Sequence, residues 1–409
     1  MRVVLSTYGS RGAVEPMAGL AVRLRRLGAE VRMCAPPDEE FAVRLAALGV
    51  ELVPAGSPVR PLVTSVTPGS AEGLARRAAD LMAAQFAAVA GAAEGADALV
   101  ATGPLPVTAG ARSVAEKLGL RYVHASHQPV SLPSPHRRPP ARRGSPLPSD
   151  TTDNQALWDQ DAALAHTMFG GPLNTLRAAA GLPPVDSVRD YAFTAHPWLA
   201  TDPLLSPWRP TGLGVVQTGA WYAPDERPLP AELLEFLDDG DGLPPVYVGF
   251  GSTPLSAPGE VARAAVEAVR ARGRRAVVSR GWAELALTDG RDDCFLVDEV
   301  NHQALFRRVA AVVHHGSAGT TTTAALAGVP QVVVAQGADQ PYWAGRVADL
   351  GIGAAHGGPA PDAESLSAAL RTALAPATRA RAAEVAGAVR TDGTAVAARL
   401  LLDGAGRTA

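Results

Sequence analysis

The sequence predicts an α/β protein made of two halves, each a parallel sheet wound with helices on both faces. Short β-branched runs alternate with helical stretches from the first residues onward, the pattern of strand, crossover helix and parallel strand. That alternation stops in a stretch rich in proline and tryptophan between residues 203 and 230, then restarts. With 409 residues the chain also exceeds one typical core, so two domains of about 200 residues are expected.

Residues 3–5 read as a buried strand that delivers a turn ending Gly9-Ser10-Arg11-Gly12. A helix follows over about 15–26, with Leu20, Leu24 and Leu27 at helical spacing and Gly28 closing it. Strands are expected at 29–35, 51–54, 98–101 and 121–125, with helices at 38–48, 71–93 and 107–118 between them. From 129 to 150 the pattern collapses into Pro, Ser and Arg, and loops this long inside a compact domain are usually functional or disordered. A helix is expected over 153–180, then short strands at 193–195 and 199–200.

The second half restarts with a strand at 246–250, a helix at 259–272 and strands at 276–279 and 294–297. A helix at 303–309, strands at 311–313 and 331–335, and helices at 320–326, 342–350, 362–375 and 378–402 complete it.

Composition bounds the function. A hydrophobic fraction of 47% with 19% charged residues is that of a soluble globular protein. The net charge of −3 argues against nucleic acid as the main partner. Cys34 and Cys294 are isolated in apolar contexts and read as reduced core thiols rather than metal ligands, which with the lack of a secretory leader points to the cytoplasm. The most apolar stretch, 81–93, is interrupted by Gln85 and Gly91 and is too short to span a bilayer, so no membrane insertion is expected.

The chemistry concentrates where strands end. Residues 312–330, VVHHGSAGTTTTAALAGVP, read as strand, tight loop and helix. Glycines let backbone approach a ligand, and the first N–H groups of the helix lack intrahelical partners, so the turn suits an anion. Each charge-assisted hydrogen bond to phosphate is worth about 1.5–3 kcal/mol, and the helix dipole adds roughly 0.3–1 kcal/mol. An ordinary βα turn is the competing reading of the loop alone. His314 and His315 favour the anion site, because an imidazole at a loop mouth can donate to a phosphoryl oxygen.

Neighbouring strand ends present Ser252, then Arg280 with Trp282, Val300 with Asn301, and the pair Asp339 and Gln340. Hydroxyl, guanidinium and carboxylate groups on one sheet edge describe a site for a nucleotide with a polar appendage. Neither G-x-G-x-x-G after the first strand nor G-x-x-x-x-G-K-[ST] occurs, which argues against a dinucleotide dehydrogenase and a P-loop NTPase. In the 129–150 loop, His136, Arg137, Arg138, Arg142 and Arg143 either attract an acidic acceptor or are simply solvated.

Together, GSRG at 9–12, VYVGFGS at 246–252, SRGW at 279–282, EVNHQALF at 299–306, HHGSAGTT at 314–321 and ADQPYWAGRVADLG at 338–351 resemble the glycosyltransferases that decorate vancomycin-type glycopeptide antibiotics. The resemblance runs essentially the full chain. It implies the GT-B fold of inverting nucleotide-sugar enzymes, with two Rossmann-like domains facing across a cleft and a last helix crossing back to the first domain.

The implied division is an acceptor-binding domain over 1–205, a linker over 206–227, a nucleotide-sugar-binding domain over 228–388 and the returning helix over 389–409. The implied partners are a TDP- or UDP-sugar and a glycopeptide aglycone, with no metal or other cofactor. Carried over by motif, His314, His315, Ser317, Ala318, Gly319 and Thr320 cradle the pyrophosphate. Ser252 joins them, while Ser10, Arg11 and Gly12 approach from the other domain. Arg280, Trp282 and Val300 surround base and ribose, and Asp339 and Gln340 hold the sugar. His124, His127, Arg137 and Arg138 fall on the acceptor side, although a structural role competes for both histidines, and core packing competes for Trp282.

One position departs from the family. Directly after Gly-Ser-Arg-Gly, where those enzymes carry their candidate catalytic aspartate, this chain has Ala13. Alanine takes no proton, and losing a general base costs about 10²–10⁴ in rate. Three readings stay open: a variant stripped of its base, an enzyme using Asp339, His127 or an already ionised acceptor, and a binding protein that has lost catalysis. A nucleotide-sugar epimerase of the same fold is the alternative activity.

Overall fold

The computed structural model describes residues 1–64, 71–140, 147, 151–239, 242–286 and 289–404. The chain divides into two compact units, Met1–Pro203 with Pro207–Ala223 and the segment from Arg390 onward, and Leu204–Ser206 with Pro224–Val389.

The first unit opens with β1 (Arg2–Ser6), α1 (Arg11–Arg26), β2 (Glu30–Ala35), α2 (Glu39–Ala47) and β3 (Glu51–Pro54). It continues through α3 (Val59–Thr64), α4 (Ala71–Ala92), β4 (Ala98–Ala101), α5 (Leu105–Leu118) and β5 (Arg121–Ser126). Then come α6 (Asn154–Ala179), α7 (Val188–Phe193), β6 (Trp198–Leu199) and β7 (Val216–Gln217). The strands are parallel in the order β3-β2-β1-β4-β5-β6-β7. The chain walks outward from β1, then returns to its other side, so the carboxyl ends of β1 and β4 flank the point where such sheets take ligands. Val89, Ala92, Val114 and Ala115 from α4 and α5 cover Val4 and Leu99 of these central strands.

In the second unit α8 (Ala231–Asp238), β8 (Val246–Gly249), α9 (Pro258–Arg270), β9 (Ala276–Ser279) and β10 (Cys294–Val297) come first. They are followed by α10 (His302–Leu305), β11 (Ala311–His314), α11 (Ala318–Leu326), β12 (Gln331–Val333), α12 (Gln340–Asp349) and β13 (Gly353–Ala355), then α13 (Ala363–Ala373) and α14 (Pro376–Ala386). The order β10-β9-β8-β11-β12-β13 repeats the topology of the first sheet, again parallel. Its switch point lies between β8 and β11. Val246 and Val248 pack with α9 and α13 on one face, while Tyr247 packs with Leu233, Leu305 and Phe306 on the other. A strand buried on both faces reads as a continuous apolar run, which is why these strands were legible.

Finally α15 (Gly393–Asp403) packs on α1 within the first unit. A Cβ at Gly393 would lie 2.3 Å from the Ala220 carbonyl oxygen, so this approach admits only glycine. Arg121 donates to the carbonyls of Leu401 and Leu400 at 2.7 and 3.1 Å, satisfying the open end of the helix.

Three expectations are corrected. Residues 193–195 form no strand: Phe193 is the last residue of α7 and Thr194 turns away with φ of 65°. The expected single helix over 378–402 is two helices, α14 and α15, parted where the Arg390 N–H donates to Asp202 at 2.8 Å and Arg390 pairs with Asp392. Val216 and Gln217, within the expected linker, form β7 of the first sheet. Arg142 and Arg143 lie outside the described residues.

Candidate active site

At the switch point of the second sheet, β11 ends in His314 and the chain turns through Gly316 into α11. Gly316 has φ of 93°, and a Cβ there would sit 2.6 Å from Val333 Cγ1 and 3.2 Å from the Gln340 carbonyl oxygen. Only glycine makes this turn. Ser317 caps α11: its Oγ accepts from the Thr320 N–H at 3.4 Å, and its hydroxyl lies 3.0 Å from that of Thr320. No hydrogen bond within the described residues takes the N–H groups of Ala318 and Gly319, and these lead the helix dipole. Gly319 differs from Gly316. Its Cβ would meet nothing within 4 Å, so no protein neighbour demands a glycine at this exposed helical position.

The two histidines do not stand at the loop mouth as expected. His314 is fully buried and both its nitrogens are committed: Nδ1 accepts from the Gly316 N–H at 3.1 Å and Nε2 faces Gln331 Oε1 at 2.9 Å. Burial pulls its pKa down to about 4, so the ring is neutral. His315 lies under the turn after β8, where a Cβ on Gly251 would be 3.1 Å from its Cε1. Its Nδ1 is buried without a hydrogen-bond partner, and desolvation, with His314 and His302 nearby, lowers its pKa to about 3.

The turns after β8 and β9 are joined: the Trp282 N–H donates to the Gly251 carbonyl at 2.8 Å, and a Cβ on Gly281 would strike that same oxygen. This close packing brings Ser252 and Trp282 to one rim. Trp282 and Val300 are buried. Arg280, half exposed, is paired with Asp298 at 3.0 Å rather than standing as a lone charge.

After β12, Gly337 and Ala338 take positive φ values of 153° and 52° and turn the chain into α12. Asp339 is buried, and Trp343 Nε1 donates to its Oδ2 at 2.9 Å. Burial raises its pKa to about 6, only partly offset by that indole bond. Gln340 Oε1 accepts from the Gln336 N–H at 2.7 Å, so what it offers a ligand is its NH₂ group.

In the first unit, Ser10 precedes α1 without capping it through its side chain. Arg11 lies 3.5 Å from Glu40, and Gly12 is exposed with no atom near its would-be Cβ. Ala13 Cβ lies 3.0 Å from the position a Cβ on Gly9 would take, and the Ala13 carbonyl accepts from Thr7 Oγ1 at 3.2 Å. His124 and His127 are buried near the end of β5, against Phe193 at 4.5 Å and Trp221 at 5.4 Å between ring centres. Nδ1 of His124 and both nitrogens of His127 lack hydrogen-bond partners, and burial lowers the two pKa values to about 3 and about 4. Arg137 stacks over Trp208 at 5.7 Å, and Arg138 is exposed. Sequence reasoning missed Gln331 and Trp208. Nothing in their spacing marks them, since their roles come from residues distant in the chain.

Two Rossmann-type parallel sheets, the second with open helix N–H groups at its switch point, are the architecture shared with solved glycosyltransferases of the GT-B class. Residues 286–400 match the family described as erythromycin biosynthesis protein CIII-like, C-terminal domain. The chain is 56% identical to the glycosyltransferase GtfE of Amycolatopsis orientalis over 99% of this chain and 98% of that protein. It is 55% identical to the vancomycin aglycone glucosyltransferase of the same organism, over 100% and 98%. With the dTDP-epi-vancosaminyltransferase of that organism it shares 50% over 94% and 93%. Among solved structures, the glycosyltransferase of kitacinnamycin superposes with a TM-score of 0.73 at 18% identity, over 98% of both chains.

The chain belongs to the glycosyltransferase family of vancomycin-type glycopeptide antibiotics, and is a nucleotide-sugar-dependent glycosyltransferase. The epimerase alternative is not favoured, these relatives being named as transferases. Among the described residues no helix is long and apolar enough to cross a membrane.

Proposed function

We propose that the chain moves a sugar from a TDP- or UDP-sugar to a hydroxyl of a glycopeptide aglycone or pseudoaglycone, by direct displacement with inversion. The observation that carries the donor half is Gly319. A helical glycine costs about 1 kcal/mol relative to alanine, and no protein atom lies where its side chain would go. Its bareness leaves room for a ligand at the one end of α11 where N–H groups are open.

The diphosphate takes the N–H groups of Ala318 and Gly319 and the hydroxyls of Ser317, Thr320 and Ser252, with His315 packed beneath the turn after β8. Trp282 and Val300 wall the base and ribose, and Arg280 borders them. Asp339 and Gln340 hold the sugar hydroxyls as acceptor and donor. TDP is supported by the name of the dTDP-epi-vancosaminyltransferase relative, and the aglycone by that of the vancomycin aglycone glucosyltransferase. In the first unit, Ser10, Arg11 and Gly12 form a second anion-facing helix terminus, and the acceptor docks near His124, His127, Arg137 and Arg138.

In the reaction the acceptor oxygen bonds to the anomeric carbon as the bond to the diphosphate breaks. Helix N–H groups and hydroxyls meet the charge that develops on the leaving group, with no metal invoked. The acceptor proton goes to His127, an unprotonated imidazole above about pH 4, or to Asp339, a carboxylate above about pH 6, or is already absent in a phenolate. Ala13 takes none.

The test is a mass-spectrometric screen of TDP- and UDP-sugars against glycopeptide aglycones, run with this chain and with Ala13→Asp. Aglycone plus one sugar, with nucleoside diphosphate released only when both substrates are present, is expected. Interconversion of the donor sugar without acceptor would contradict the reading.

A further inference from the structure

Gln331 opens β12 between β11 and β13, fully buried, with an amide in the middle of an apolar sheet. Burying an amide is costly unless both its ends are hydrogen-bonded. Both are: Oε1 lies 2.9 Å from His314 Nε2, and Nε2 donates to the Thr321 carbonyl at 3.3 Å. His314 Nδ1 in turn accepts from the Gly316 N–H at 3.1 Å.

The donors and acceptors admit one polarity. A backbone N–H can only donate, so His314 Nδ1 carries no proton, and the ring proton sits on Nε2 facing an amide oxygen. The amide NH₂ then faces a carbonyl, as it must. One directed chain runs from Gly316 N–H through His314 and Gln331 to Thr321 C=O. Its two ends lie immediately before and after residues 317–320, the open turn.

We propose that Gln331 is a positioning residue for the diphosphate turn: it holds His314 in the Nε2–H tautomer, and the pair staples the two ends of the cradle. The inference rests on the donor-site reading above. It explains why an imidazole is needed there without touching phosphate, and why its partner is a neutral amide. A carboxylate at 331 would favour a doubly protonated ring, whose Nδ1–H would face the Gly316 N–H and push the turn open.

Nitrogen-15 NMR of the histidine rings and calorimetric titration with TDP test this on the full chain, Gln331→Glu and Gln331→Met. In the parent, His314 should carry its proton on Nε2 alone from pH 6 to 9. The Kd for TDP should rise at least about tenfold in Gln331→Met, the size of one lost hydrogen bond. In Gln331→Glu it should rise near pH 6.5 and recover toward pH 9, a pH dependence that a merely structural role would not produce. Should Gln331→Met not fold, the parent tautomer and the Gln331→Glu profile decide. A parent proton on Nδ1, or variants with the parent's Kd at every pH, would overturn the relay alone. A parent that takes up no TDP would overturn the relay and the donor-site reading together.

Discussion

Trp343 donates its indole N–H to Oδ2 of Asp339 at 2.9 Å, one helical turn along α12, and this bond orients a carboxylate that burial otherwise disfavours. The folded pKa is about 6 against 3.8 ordinarily, so the folded state binds the proton more tightly than the unfolded chain. The stability linked to this group is present below pH 3.8 and is lost as pH rises through 6. Asp339→Asn should therefore stabilise the second unit at pH 8 by roughly 1–3 kcal/mol while abolishing most transfer. Thermal melts at pH 8 and pH 4 check it, and the gain should vanish at pH 4. Equal melting at pH 8 would argue that Asp339 carries no strain.

The buried histidines give the opposite dependence. His124, His127, His314 and His315 have folded pKa values of about 3 to 4 against 6.5 ordinarily. The unfolded chain binds these protons first, so stability is full above pH 6.5 and falls as pH drops toward 4. Each contributes up to about 1.4 kcal/mol per pH unit in that window. Melting temperature should drop steeply between pH 6.5 and 5, and His124→Phe should flatten the fall for the first unit. A flat profile over that range would contradict the neutral, buried assignment.

Gly319→Ala separates stability from binding. Alanine removes a helical glycine with no neighbour to strike, so α11 should gain about 0.5–1 kcal/mol. The methyl group intrudes where the diphosphate is proposed to lie, so donor KM should rise at least about tenfold. A more stable protein with unchanged KM would place the phosphate elsewhere.

Arg177 provides a control in the other unit. Its guanidinium, almost fully buried, binds Glu116 at 2.9 and 3.1 Å and lies 4.6 Å from the centre of the Tyr191 ring. Glu116→Gln leaves that buried cation without its counter-charge and should destabilise the first unit by about 3 kcal/mol. TDP affinity should hold within about twofold, since the donor turn belongs to the second unit; calorimetry on the variant decides.

Much of this was legible in the sequence for a physical reason. The central strands are buried on both faces and read as apolar runs, and the Gly-Ser-Ala-Gly turn announces itself through Gly316, whose positive φ and close neighbours admit only glycine. β6, β7 and β13 span two or three residues, too few for any period to appear. The break between α14 and α15 depends on Asp202 and Gly219, far away in the chain. The histidine pair misled for the same reason. His314 faces the core because of Gln331, an amide on another strand, and Arg280 is paired with Asp298.

The central claim is that residues 317–320 grip the diphosphate of the donor. Calorimetric titration of TDP into this chain and into Gly319→Asp tests it most directly. The account predicts saturable binding with one site per chain, lost when a carboxylate stands at the helix terminus. Equal binding by both proteins, or none by the parent, would contradict it.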